Sequence, residues 1–268
     1  MANETTPPPG SLVLAVDAAD MDPEAVELSI LIAARERRPL LLVTVERADW
    51  ATAAGLPVTQ MVRGHDLRTE SVDLAGMERM LGRWSARTAA RILELAGRHG
   101  VALRHERRRG RLDIALTQTM GPEDWLSVVL PASPGERAED LKAIVARAAG
   151  FRHPLMISPR LRRGRRPVVL AYAGGEAALR RAVLLASLRG GGLRIWTIDG
   201  ADLDPVRKAA ADAHVPVEFE TVAASDLPDR LASAQAAAVV LDRHGDGFGQ
   251  IDLSRIAGER MAIDLCLI

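Results

Sequence analysis

One stretch could grip a charged ligand through its backbone: Leu241-Asp242-Arg243-His244-Gly245-Asp246-Gly247-Phe248-Gly249. A glycine-rich turn between an apolar strand-like run and an expected helix lets backbone N–H groups approach a phosphate. The helix start adds its positive end. The turn is not a Walker loop, and no G-x-G-x-x-G follows an opening strand. Asp242, His244, Asp246 and Gly247 also echo a calcium loop, but Leu253 stands where the bidentate glutamate belongs, so no metal is expected there. His65-Asp66 could orient a catalytic imidazole, although a solvated surface pair is the plainer reading. No G-x-S-x-G elbow exists. The single cysteine, Cys266, excludes an intramolecular disulfide and a cysteine zinc site, and in an apolar run it reads as a small inert hydrophobe. His99, His105, His153 and His214 fall at expected helix ends or strand starts, where capping and solvent satisfy them. No acid–base or nucleophile set converges, so the chain is not expected to be an enzyme.

These residues sit in a chain of 268, enough for one large domain or two of about half that size. It is 48% hydrophobic and 26% charged, an ordinary globular balance that excludes wholesale disorder. Thirty-five basic residues face 35 acidic ones, so no global field draws the chain to nucleic acid or an anionic membrane, and neither partner is expected. Aromatics at 3% are too few for a base-stacking platform. The polar stretch Met1–Gly10 lacks the pattern of a signal peptide, and the apolar runs are strand length. With one cysteine, the expected location is the cytoplasm.

The elements come in pairs. Leu12–Asp17 and Val168–Ala173 each read as a buried strand entering a turn, and Leu40–Val45 matches Leu193–Ile198. Val101 pairs with Val215, Val128–Leu130 with Val239–Leu241, and Leu155 with Leu265. The offset is nearly constant at each end and drops once, between the second and third pairs. That pattern fits a duplication with one changed connection. Asp22 caps a helix opened by Pro23, with Val26, Ile30 and Ala33 on one face. A second helix runs from Met77 to His99, and Met77, Leu81, Trp84, Thr88, Ile92 and Leu95 recur at core spacing. Further helices fall near Glu176–Leu188 and Pro205–Ala213. Alternating strands and helices imply parallel sheets covered on both faces.

The expected division is a first repeat over 11–159, an arginine-rich linker over 160–166 and a compact second repeat over 167–268. Pro159–Pro167 holds five arginines and reads as a solvated linker rather than an anion patch. Arg104–Arg111 suits an edge strand, where charge blocks edge pairing. Glu46–Asp73 is a long polar connection, of the kind used as a lid or binding loop.

At this point the chain resembles the tandem universal stress proteins. The resemblance rests on Val16-Asp17, the helix from Pro23 and His153–Pro159 in the first half. In the second it rests on Ala171–Ala177, Arg243-His244-Gly245 and Asp264–Ile268. It implies an α/β fold of two repeats, each an open five-stranded parallel sheet of order 3-2-1-4-5 flanked by helices, adenine-nucleotide alpha-hydrolase-like. It also implies repeats paired within the chain through their fifth strands. Its function would be regulatory binding in a stress response, with ATP or AMP held weakly in one repeat and magnesium only as the nucleotide's companion. The residues carried over are Val16, Asp17, Val43, Tyr172, Ala173, Gly174, Gly245 and Ser254. The first half's turn carries Pro131 and Pro134, which weaken a phosphate cradle, while Asp242 replaces a glycine in the second. Two alternatives stand beside this reading: an interaction scaffold with decayed nucleotide sites, and a nucleotide-using hydrolase or transferase.

Overall fold

The computed structural model describes residues 10–17, 22–46, 60–62, 69–71, 73–117, 124–130, 140–141, 143–144, 154–158, 166–197, 201–242 and 264–268. The first half carries β1 (Leu12–Asp17), α1 (Pro23–Arg35), β2 (Leu40–Glu46), β3 (Gln60–Val62), β4 (Thr69–Ser71) and α2 (Leu74–Arg98). It continues with β5 (Leu103–Arg109), α3 (Leu112–Thr117), β6 (Trp125–Val129) and β7 (Leu155–Ser158). The second carries β8 (Val168–Tyr172), α4 (Glu176–Arg189), β9 (Leu193–Thr197), α5 (Asp204–Asp212), β10 (Val217–Thr221), α6 (Leu227–Ser233), β11 (Ala238–Leu241) and β12 (Asp264–Leu267).

Ten strands make one open sheet, ordered β10-β9-β8-β11-β12-β7-β6-β1-β2-β5. Every neighbouring pair is parallel except β7 and β12, which run antiparallel with Cys266 opposite Met156. Because strand side chains alternate, the sheet feeds two apolar layers. One, under α1, α2, α4 and α5, holds Leu14, Ile30, Ile92, Leu170 and Leu185. The other, under α3 and α6, holds Val13, Leu116, Ile157, Trp196 and Leu231.

Local chemistry starts and ends these elements. Asp22 accepts a hydrogen bond from the Glu24 N–H at 2.9 Å, which ties the first turn of α1. Gly190 takes the left-handed conformation, φ 62°, that closes α4. The basic strand β5 is an edge of the sheet, where arginine discourages pairing with another chain.

Two expectations need correction. The connection 46–73 is not all loop: β3 and β4 pair antiparallel, Gln60 opposite Ser71. Each is three residues long, too short to leave an alternation in the sequence. In α2 the inward face is Leu81, Ser85, Ala89, Ile92 and Ala96, so Trp84 lies outside the core at 38% exposure. Small residues at 85, 89 and 96 let the helix settle close to the sheet, and that rotates the tryptophan outward. Asp264, at the start of β12, is buried and paired with Arg189.

Candidate functional site

In an open parallel sheet a ligand crevice forms beyond the strands' carboxyl ends, where the winding direction changes. In the second half that place lies beyond β8 and β11, which are neighbours. Tyr172 ends β8 and is buried. Burial raises its phenol pKa, and the nearby Asp202 and Glu176 carboxylates raise it further. Ala173 is half-buried, and Gly174 turns the chain at φ 100°, a conformation that favours glycine. Gly175 then caps α4 with no side-chain bond of its own. The Asp242 carboxylate comes in from the end of β11 and lies where a Cβ on Gly175 would sit. An acid against a helix start satisfies the positive end of the dipole. Asp242, Glu176 and Asp202 therefore give this crevice a negative lining, which opposes a polyphosphate. Gly245 and Ser254 lie outside the described residues.

In the first half, Asp17 ends β1 half-buried, and Val16 is fully buried in the layer under α1. Val43 is not beyond its strand. It sits inside β2, opposite Ala15 on one side and Glu106 on the other, so both neighbours engage that stretch of backbone. The strand runs on to Glu46, the true residue at the crevice edge. The structure thus brings Val16 and Asp17 together at one strand end and Tyr172, Ala173 and Gly174 at another, but leaves Val43 in a ladder.

Two polar groupings escaped the sequence reading. Glu46 is 1% exposed, and its carboxylate meets Arg107, whose Nη2 donates to Oε2 at 2.8 Å, and Arg109 at 3.9 Å. Beside it the Thr44 hydroxyl bonds both Ser85 Oγ at 2.7 Å and His105 Nε2 at 2.9 Å. Burial lowers the His105 pKa, and Arg107 lowers it further, so the imidazole stays neutral near pH 7. A serine, a threonine and a histidine in contact suggest nucleophile chemistry, but Ser85 and Thr44 are 1% and 0% exposed. Their hydroxyls brace α2 against β2 and β5 rather than face a substrate.

A third feature lies where the halves meet. Trp125 is sandwiched between the guanidinium groups of Arg38 and Arg181, each 3.9 Å from its ring centre. Arg181 also reaches Glu36 at 3.9 Å. The cleft that Trp125 and Arg181 line with Leu12, Met156 and Cys266 leaves about 20 Å³ for the centre of a water molecule. That is room for about one water and far too little for a nucleotide.

No family model matches the sequence. No curated protein matches it either. Among solved structures, the chain is similar to the cytoplasmic domain of a prokaryotic cation chloride cotransporter, with 13% identity and a TM-score of 0.45 over 96% of this chain and 95% of that one. It is also similar to HlmI, with 14% identity and a TM-score of 0.20 over 80% of this chain and 63% of that one.

Proposed function

We propose that the chain is a non-catalytic regulatory scaffold of two universal-stress-like repeats, whose second nucleotide crevice is closed to phosphates. The observation that carries this reading is the Asp242 carboxylate seated against Gly175 at the start of α4. It takes the helix end a phosphate would use, and Glu176 and Asp202 add charge of the same sign. The repeat reading draws on the strand order, third-second-first-fourth-fifth in each half, and on the paired offsets in sequence. The fifth strands β7 and β12 meet as they would between two copies of a single-repeat protein. Buried hydroxyls at Thr44 and Ser85 speak against turnover.

Titration calorimetry with magnesium-ATP and with AMP tests the reading. The expected result is no saturable heat from the wild type. An Asp242→Gly variant, which removes the blocking charge, is the form in which phosphate binding should first emerge. Saturable heat from the wild type that disappears in Gly245→Val would overturn the scaffold reading in favour of a working nucleotide site in the second half.

A further inference from the structure

The charge of this chain sums to zero, yet residues 73–111 hold ten arginines and only four carboxylates. That segment is α2 and β5, one flank of the molecule. The helix has two distinct faces. Leu81, Ser85, Ala89, Ile92 and Ala96 point inward and are buried. Met80, Arg83, Trp84, Arg87 and Arg91 cover an outward arc of about 100°. All five are exposed, Met80 and Trp84 at 38% each.

All the arginines at the margins of this flank except Arg104 have a partner within the chain. Arg79 pairs with Asp73, Arg98 with Glu94, Arg107 with Glu46, and Arg109 with Glu46 and Glu78. Arg83, Arg87 and Arg91 are different: among the described residues they have neither an ion pair nor a hydrogen bond. They stand one turn apart along roughly 12 Å of helix. Like charges at that spacing destabilise a helix, and among the described residues the carboxylate on the same arc, Glu94, pairs with Arg98 instead. Nor does α2 have a side-chain cap at Asp73. An anionic partner outside the chain would supply what the fold withholds.

We propose that this face of α2 docks on the surface of a membrane containing anionic phospholipid. The three guanidinium groups meet lipid phosphates, and Trp84 and Met80 enter the boundary between headgroups and acyl chains. Arginines beside a tryptophan and a methionine on one exposed arc combine charge for anionic headgroups with apolar area for the acyl boundary, the two attractions a membrane surface offers. The exposed apolar pair favours lipid over nucleic acid. A phosphate backbone offers Met80 nothing, and base stacking uses several aromatics where this arc has one. A balanced total charge excludes a global field but leaves this local one standing. No helix among the described residues is long and apolar enough to cross the bilayer, so the contact is peripheral.

Co-sedimentation of the full chain with vesicles tests the proposal. Binding is expected to vesicles of phosphatidylcholine mixed with phosphatidylserine, and not to phosphatidylcholine alone. It should weaken as salt rises. The triple variant R83Q/R87Q/R91Q is expected to lower the partition coefficient about 100-fold, roughly a factor of five per arginine. Because these side chains are exposed and have no partner among the described residues, the variant should melt with the wild type by circular dichroism. On vesicle binding, tryptophan emission should shift to the blue in the wild type and much less in Trp84→Phe. Equal partition of the wild type and triple variant overturns the proposal. So does indifference to anionic vesicles at low salt, and binding to duplex DNA without binding to vesicles would assign the arginines to nucleic acid instead.

Discussion

The two halves of the sheet are finished differently at their outer edges. The first ends in a seven-residue edge strand, β5, rich in arginine and backed by the 25-residue α2. The second ends in a five-residue strand, β10, whose charges are Glu218 and Glu220, backed by the nine-residue α5. The strand-end crevices differ as well. Asp17 stands half-buried at the end of β1, whereas Tyr172 at the end of β8 is buried with the Asp202 and Glu176 carboxylates near it. The difference teaches where divergence is cheap. Strand order is fixed by two buried apolar layers that run through both halves, and a change there leaves a cavity. Edges, helix starts and crevices touch water on one side, and their charges can change with little cost.

The seam between β7 and β12 gives the sharpest test of that asymmetry, because its two ends are built from different chemistry. At one end Asp264, 1% exposed, pairs with Arg189, the last residue of α4. At the other, Arg181 stacks on Trp125. Arg189→Met should cost about 3–5 kcal/mol in urea unfolding, since it strands a buried carboxylate. Arg181→Met keeps the apolar stem and loses mainly the stacking and a long ion pair, about 0.5–2 kcal/mol. Equal losses would erase the distinction between the two ends.

The same end should make stability depend on pH in an unusual direction. Burial pushes the Asp264 pKa up to about 7, and Asp22 raises it, while Arg189 and Ser158 oppose the shift. Among the described residues Asp264 Oδ1 has no hydrogen-bond partner. The folded pKa thus lies above the unfolded value of 3.8, so folding takes up a proton between those limits. The contribution of Asp264 is fully present below pH ~4 and is lost as pH rises through 7, by up to about 4 kcal/mol. The stability difference between wild type and Asp264→Asn, measured by urea unfolding, should therefore grow in favour of the wild type on going from pH 7 to pH 4. A flat difference would mean that Arg189 holds the carboxylate ionised throughout.

Much of the scaffold was legible because burial writes itself into sequence as period. Leu12–Asp17 and Leu40–Glu46 are apolar runs covered on both faces, and the Asp22-Pro23 start of α1 is where local chemistry puts it. The failures share a cause: each depends on contacts between residues distant in sequence. Which flank of α2 faces the sheet is decided by Ser85 meeting Thr44, not by apolar spacing alone, and so Trp84 was assigned to the core. Val43 came only from the resemblance, and it lies inside β2, which runs one residue past the expected Val45 to Glu46, where Arg107 pairs with the charge. Asp242 was visible as an acid in a glycine's place, but that Gly175 makes room for it could not be read from either segment. Gly245 and Ser254 lie outside the described residues.

The smallest expected effect compares the two helix starts. α1 is capped from within its own segment, by Asp22 accepting from the Glu24 N–H. α4 begins at Gly175, which has no side chain to accept a bond, and Asp242 reaches it from another strand. A local cap is nearly in place before the helix forms, and Asp22→Ala should cost about 1 kcal/mol. Asp242 acts on a helix start whose first residue is Glu176, and Asp202 lies near the same strand end at Tyr172, so like charge accompanies it. Its removal gives up a favourable dipole contact of about 0.3–1 kcal/mol and relieves part of that repulsion. Asp242→Ala should therefore change stability by less than Asp22→Ala, by about half a kcal/mol in either direction. Raising ionic strength should shrink the Asp242 effect further, because screening weakens both opposing contributions. Thermal unfolding of both variants at low and high salt measures this. A loss at Asp242 that exceeds the loss at Asp22 would show that the carboxylate is a structural requirement of α4 rather than a replaceable occupant of the crevice.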